Sequence, residues 1–230
     1  IGKNPKWEVI IVDNDKENVG FGAGCNKGGK KAKGKYLFFL NPDTIILPGA
    51  MNKLVDFMEQ REDIGIVAPL LLNENKMSYP LQGARELTPF TALVALSFLN
   101  KYFPNNPVSF RYWLKDWDKR NFQEVAVVPG TAFMIRRGIF EKIGGFDENF
   151  FLYFEETDLC QRVKEKGWKI FIEPESKVIH FWKGSTPKNG KIKKIFCQSR
   201  FYYFKKHWGV FPAVIVESIL RSGEWLAEKI

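Results

Sequence analysis

Tyr36-Leu37-Phe38-Phe39-Leu40, followed at once by Asn41-Pro42-Asp43-Thr44, sets the fold class. Five apolar residues in succession, three of them aromatic, suit a strand buried on both faces, since a half-exposed strand alternates polar and apolar residues. The Asn-Pro-Asp turn ends it. Upstream, Trp7-Glu8-Val9-Ile10-Ile11-Val12 is also nearly continuous in apolar character and stops at Asp13-Asn14-Asp15. Between the two lie the glycine-rich residues 19–26 and a helix predicted over 23–32. The order strand, loop, helix, strand defines an α/β unit with a right-handed crossover, and predicts a mostly parallel central sheet.

Further along, Pro48 opens an amphipathic helix predicted over 48–60, with Met51, Leu54, Val55 and Met58 on one face. Residues 64–68 read as a third strand. Residues 73–124 carry Pro80, Pro89, Pro104 and Pro107 among many aromatics, and are expected as loops with one helix around 89–99. Strands are expected at 124–128 and 132–136 about Pro129-Gly130. A helical turn at 139–143 should stop at Gly144-Gly145, and a helix at 155–166 should stop at Gly167. Strands at 169–172 and 177–181 precede helices at 194–208 and 212–229. The chain opens one short lead ahead of a core strand, and the connection from residue 12 to residue 20 is too short for another helix and strand. Both features read as a fragment or as omitted segments.

The chain's 230 residues, 45% of them hydrophobic, suffice for one large domain or two small ones and argue against disorder. Aromatics reach 15%, enough for a broad apolar or carbohydrate-contacting surface besides a core. The net charge of +9 is uneven: residues 183–208 hold eight Lys or Arg and no acid. That bias calls for an anionic partner, whether phosphates, acidic lipid or nucleic acid. Three widely spaced cysteines argue against a disulfide framework or a zinc site and fit a reducing cytosol. No signal peptide opens the chain, and no apolar run approaches the ~20 residues of a membrane span. Residues 211–220 are apolar but short, a length that lies on a membrane and does not cross it.

Several constellations carry chemistry. Asp13-Asn14 ends the first predicted strand, the edge at which open α/β sheets bind ligands, and is equally a common turn pair. Asn18-Val19-Gly20-Phe21-Gly22-Ala23-Gly24-Cys25-Asn26 places three glycines ahead of a helix. There the backbone approaches a ligand closely and the helix N-terminus favours phosphate; a flexible turn is the alternative. Asp43 stands at a strand end, where a carboxylate holds a divalent cation against a diphosphate, or caps a turn. Phe154-Glu155-Glu156-Thr157-Asp158-Leu159-Cys160-Gln161-Arg162 crowds three carboxylates into four positions after an aromatic run. Asp158 and Arg162 are spaced as an i,i+4 ion pair. Glu156 lies about a third of a turn off their face and is able to act as a general base toward a hydroxyl; acids also favour a first helical turn for its dipole alone. His180 sits among apolar residues, as a core histidine or as a ligand suited to Mn²⁺. After it, Lys183-Gly184-Ser185-Thr186 is a basic loop able to close over phosphates, or a plain surface hairpin. Residues 194–208 mix Phe196, Phe201, Phe204 and Trp208 with basic residues, as a helix at an anionic membrane or one packed on the core.

The order of these motifs resembles the inverting, nucleotide-sugar-dependent glycosyltransferases of family two with the GT-A fold, nearest their rhamnosyltransferase-like branch. The resembling stretches are IIVDN (10–14), NVGFGAGCN (18–26), GKYLFFLNPDTII (34–46), the segment 128–170 and VIHFWKGS (178–185). The resemblance implies a central sheet flanked by helices with C-terminal amphipathic helices. The domain reading is a catalytic domain over 1–190, split into a nucleotide-binding half (1–70) and an acceptor half (71–190), and, from its basic and aromatic residues, a helical membrane-associating segment over 191–230. By position, Asp13 and Asn14 would meet the nucleotide, and Asn18, Gly20, Phe21 and Asn26 would line the donor site. Asn41 and Asp43 stand at the metal-binding Asp-x-Asp, with His180 completing the Mn²⁺ or Mg²⁺ site. Glu156 takes the catalytic-base position, which is usually Asp, with Glu155 and Asp158 beside it. Lys183 would clamp the diphosphate, and Trp182 and Tyr153 would stack on an acceptor. The donor would be a dTDP-, UDP- or GDP-sugar and the acceptor a glycan or polyprenyl-linked glycan in cell-surface polysaccharide synthesis. The place of action would be the cytoplasm or the inner face of the plasma membrane. Asn41 replaces one acid of the motif, and the family's opening strand is absent here.

Two other classes compete. A sugar-phosphate nucleotidyltransferase needs an N-terminal glycine-rich basic loop that this sequence lacks. A non-catalytic basic module for membranes or nucleic acid fits the charge, but no nucleic-acid motif is present, and Glu155, Glu156 and Asp158 would repel phosphate.

Overall fold

A computed structural model describes residues 7–14, 17–181 and 190–227. Helix α1 (Phe21–Gly29) comes first, then β1 (Tyr36–Leu40), β2 (Thr44–Ile46), α2 (Ala50–Glu59) and β3 (Ile64–Leu72). Helices α3 (Pro89–Ala95), α4 (Phe98–Tyr102) and α5 (Pro107–Tyr112) lead to β4 (Gln123–Glu124) and β5 (Ala132–Arg136). After α6 (Arg137–Lys142), α7 (Glu155–Glu165) and β6 (Lys169–His180), the C-terminal hairpin of α8 (Gly190–Trp208) and α9 (Val210–Ala227) closes the described chain.

The six strands form one sheet in the order β1-β5-β3-β6-β2, with β4 also on β6. The α/β class holds, with helices on both faces, but the sheet is mixed. Only β3 and β6 pair in parallel; the other four pairings are antiparallel. The expectation of a mostly parallel sheet is thereby corrected: β5 lies between β1 and β3 and runs against both. Central β3 is buried at all nine positions, which matches its unbroken apolar sequence. Pro69, which donates no ladder hydrogen bond, falls where the β3–β6 register shifts.

The apolar run 7–12 is not a strand. Ile10 and Val12 lie against Gly28 of α1, while Val9 and Ile11 are 54% and 86% exposed. The alternation of a strand is there, but the ladder is missing, because the sheet ends at β1 and these residues do not pair with it. Apolar character selects burial; hydrogen-bonded neighbours make a strand. The two strands expected at 169–172 and 177–181 form one, β6, long enough to pair with β3, β2 and β4. The strand expected at 124–128 contracts to β4, and the one helix expected in 73–124 becomes α3, α4 and α5, the first and third opened by Pro89 and Pro107 at N1.

Leu37, Phe39, Phe133 and Ile135 of the sheet pack with Phe140, Phe146, Leu159 and Val163 on one face. Leu54, Phe57 and Met58 of α2 cover Val67 and Met134 on the other. A second core joins α8 and α9 to the rest through Tyr203, Phe204, Ala213 and Val216 against Ala84, Ala92, Tyr112, Phe150 and Phe154. No helix among the described residues is long and apolar enough to cross a membrane.

Candidate active site

The site begins where β1 runs out. The Asn41 N–H donates to the Thr131 carbonyl at 2.9 Å, which ties the Asn-Pro-Asp turn to the turn before β5. The Thr44 hydroxyl donates to the Asn41 carbonyl at 2.6 Å and closes that turn. Strand β2 then pairs with the end of β6, Thr44 opposite His180. This register, with the Phe181 N–H donating to the Asp43 carbonyl at 3.0 Å, sets the Asp43 carboxylate 3.3 Å from the His180 imidazole. Two residues 137 positions apart in sequence (180 minus 43) are thus neighbours through strand pairing alone. Tyr79 donates from its hydroxyl to the His180 carbonyl at 2.8 Å.

The same Pro129–Thr131 turn leads to the acidic helix. Glu156 is half-buried, and a Cβ placed on Gly130 would lie 3.7 Å from its carboxyl carbon. The turn therefore connects the Asp43 end of the sheet to the Glu156 end of α7. Tyr112 of α5 is also close: its hydroxyl is pushed well above the usual range by burial first and by Glu156 second.

The approach to α7 is strained. Tyr153 and Phe154 have φ of 69° and 67°, left-handed values that side-chain-bearing residues seldom adopt. Such residues cost about 1–3 kcal/mol each and persist only where their surroundings fix them. Here α1 and α8 grip the segment from two sides. The Phe21 N–H donates to the Phe151 carbonyl at 3.0 Å, and Gly20 (φ 91°) passes so close that a Cβ there would meet that oxygen at 2.4 Å. From α8, the Ser199 hydroxyl donates to the Leu152 carbonyl at 2.8 Å, and Phe196 packs on Tyr153 and Phe154 with ring centres 5.3 and 5.4 Å away.

The three acids of α7 have three different surroundings. Asp158 is fully buried and accepts from Arg162 Nε (2.8 Å), Lys206 Nζ (2.6 Å) and His207 Nε2 (2.9 Å). Burial alone would raise its pKa, but His207, Arg162 and Lys206 together hold it below the ordinary carboxylate value. The expected Asp158–Arg162 pair is present, and Asp158 faces cations, not an open cleft. Glu155 is 4% exposed, backed by Gly22 and Cys25 of α1, and its Oε2 has no hydrogen-bond partner. Its pKa is pushed up to about 9 by burial and, second, by Glu156. Burial raises Glu156 as well.

A stability test follows from Glu155. A carboxyl whose folded pKa is raised contributes stability below its unfolded value of about 4.5 and loses it as pH climbs through about 9. Wild-type melting temperature should therefore fall between pH 5 and pH 9, and Glu155→Gln should flatten that fall. At pH 8 the variant should melt higher, by about 2–4 °C for each kcal/mol regained in a chain of this size. Parallel pH profiles of the two proteins measure the cost of ionising Glu155 in the fold.

The remaining sequence-predicted residues are placed as follows. Asn14 donates to the Gly20 carbonyl (3.2 Å) and accepts from the Val19 N–H (3.4 Å), so it shapes the glycine-rich turn. Asn18 accepts from the Gly20 N–H at 3.0 Å, and Asp13 is exposed beside them. Phe21 stacks edge-on against Phe146, 6.0 Å between centres. Asn26 is buried and holds the turn before Phe146: it donates to the Phe146 carbonyl and to Glu148, both at 2.9 Å, and accepts from the Phe146 N–H at 2.8 Å. The expectation that it lines an open donor site does not fit a side chain so fully engaged. Trp182 and Lys183 lie outside the described residues. Sequence reasoning missed Gly130 and Thr131, whose only signal was the Pro129-Gly130 pair, and missed Lys206 and His207, which reach Asp158 from a helix 48 positions on (206 minus 158).

The α/β sheet thus carries a carboxylate–imidazole pair at one strand end and an acidic helix across a shared turn. The sequence profile described as Glycosyl transferase family 2 matches residues 3–144, and the chain belongs to that family. It is 26% identical over 180 residues to the N-acetylglucosaminyl-diphospho-decaprenol L-rhamnosyltransferase of Mycobacterium tuberculosis, covering 74% of this chain and 58% of that protein. It is 23% identical over 154 residues to rhamnosyltransferase WbbL of Escherichia coli, covering 66% of this chain and 54% of that protein. A crystal structure of GalNAc-T7 with UDP, GalNAc and Mn²⁺ is similar at a TM-score of 0.49 and 17% identity, over 81% of this chain and 37% of that one. The chain spans little more than half the length of the two rhamnosyltransferases it matches.

Proposed function

We propose that the chain is the donor-binding and catalytic part of an inverting glycosyltransferase. It would move a sugar, rhamnose from a dTDP-linked donor first among candidates, to a hydroxyl of a lipid-linked glycan at the cytoplasmic face of a membrane. The observation that carries this reading is the Pro129–Thr131 turn, which joins Asn41 and the Asp43–His180 pair to Glu156. The naming of the mycobacterial and Escherichia coli relatives as rhamnosyltransferases supports the choice of sugar.

Asp43 and His180 offer one hard oxygen and one imidazole nitrogen, a donor set that fits Mn²⁺ and also admits Mg²⁺. Among the described residues no third His, Cys, Asp or Glu joins them, so donor phosphate oxygens and water would complete the shell. When bound there, a divalent cation would offset charge on the diphosphate. The N-terminus of α1, preceded by the turn that Asn14 and Asn18 shape, would turn the positive end of its dipole toward the same donor. Glu156 would accept the acceptor hydroxyl's proton; the oxygen then bonds to the anomeric carbon as the bond to the diphosphate breaks. One displacement inverts that centre. A base pKa raised by burial is better matched to a hydroxyl than that of an exposed carboxylate. Tyr153 would contribute an aromatic face near the acceptor, with Trp182 and Lys183 assigned to acceptor and diphosphate.

Calorimetric titration of dTDP and UDP with and without Mn²⁺ tests the donor half. Binding should need Mn²⁺, and Asp43→Ala should weaken it at least tenfold. Metal-independent binding unchanged by Asp43→Ala would overturn the assignment.

A further inference from the structure

We infer that the outer face of the α8–α9 hairpin is a docking surface for an anionic phospholipid bilayer, a proposal that rests on the membrane-side placement above and specifies the surface that makes it. Helix α9 is apolar on two opposite sides. Ala213, Val216 and Leu220 are at most 1% exposed against the core, whereas Val210, Phe211, Val214, Ile215 and Ile219 are 37–77% exposed on the other side. A surface helix in water has one apolar stripe; a second, solvent-facing stripe indicates a partner. Of the two acids of α9, Glu217 and Glu224, the first is neutralised: Arg200, whose side chain is 2% exposed, holds it at 2.8 Å, and Arg221 lies 3.3 Å from it.

Beside the stripe, α8 and α9 frame a groove of about 340 Å³ lined by Cys197, Phe201, Val214, Glu217, Ser218 and Arg221 among others. Lys194, Gln198, Phe201 and Lys205 follow one another at intervals of four, three and four, so they share one face of α8. Lys194 and Lys205 are exposed and thus flank the groove, with Arg221 on its α9 side. Apolar side chains framed by cations match an anionic interface: the side chains enter the acyl boundary and the cations meet phosphates. A second copy of the chain fits poorly. From residue 190 to 227 the hairpin carries seven Lys or Arg and two acids, so two such faces repel.

Flotation of the whole chain with phosphatidylglycerol-containing vesicles should recover it, and pure phosphatidylcholine vesicles should not. Phe211→Ser with Ile215→Ser should lower recovery at least tenfold, as should Lys194→Glu with Lys205→Glu; salt should abolish it. All four residues are exposed or partly exposed, and circular dichroism with sedimentation should show the variants folded and monomeric. Equal recovery on both vesicle types, recovery insensitive to both variants, or a wild-type dimer that the apolar variant dissociates would overturn the proposal. Mn²⁺-dependent nucleotide binding, measured on the same samples, tells its failure apart from failure of the glycosyltransferase reading.

Discussion

Glu156→Gln should reduce sugar transfer by roughly 10²–10⁴-fold, the range that a positioned general base supplies, while leaving donor affinity within about twofold. Glutamine keeps the length and half the hydrogen-bonding capacity of the side chain but accepts no proton. It also removes the charge that raises Glu155, so the loss is in kcat and not in folding. The Asp replacement is the sharper control. Glu156→Asp retains the charge but draws the carboxyl back by one methylene from the Gly130 turn, which the Glu156 side chain now lines. If the geometry seen here is the working one, Glu156→Asp should be impaired too, since about 1 Å of displacement costs on the order of 10²-fold in a positioned site. Transfer rates with a dTDP-sugar, read beside calorimetric donor affinity, decide both. Full activity of Glu156→Gln would move the base elsewhere on α7, and Glu155 would be next because Asp158 is already engaged by Arg162, Lys206 and His207.

What the sequence discloses and what it withholds divide along a physical line. Helix α2 was legible from its periodicity and α7 from its stop glycine, both local signals, and the Asp158–Arg162 pair because a helix fixes i,i+4 neighbours wherever it sits. The Asp43–His180 contact was legible only through family resemblance, since it depends on the β2–β6 register, a pairing no local pattern encodes. Residues 7–12 misled because an apolar run reports burial and says nothing of whether a ladder partner is present. Lys206 and His207 were invisible for a related reason. A basic residue on a helix usually reads as solvated, and only the fold aims these two at Asp158. Of the two readings of residues 194–208, core packing is the one seen: Tyr203 and Phe204 are buried, with Lys194 and Lys205 exposed on the outer face.

Asp158→Ala should destabilise the fold more than any surface change, by about 3–5 kcal/mol, because it leaves cations buried without their common counter-ion. Arg162 keeps the Ile143 carbonyl at 2.8 Å and Lys206 keeps Asp147 at 2.7 Å, but His207 loses its short contact and retains only Glu165 at 3.7 Å. For a chain of this size that corresponds to a drop of roughly 10 °C in melting temperature. The pH dependence separates charge from packing. Asp158 and Asp147 are both held below the ordinary carboxylate range, Asp147 to about 2, where Lys206 and Asn149 outweigh the opposing effect of burial. A lowered folded pKa contributes stability above the unfolded value near 3.8 and loses it as pH falls through the folded one. Wild type should therefore lose stability from about pH 4 toward pH 2, and the gap to Asp158→Ala should close over that interval. Thermal melts of both proteins at pH 7, 4 and 3 measure it. A gap that stays constant to pH 3 would mean that Asp158 acts by filling space; one that closes would make the α8 clamp an electrostatic one, holding in place the helix on which Glu156 sits.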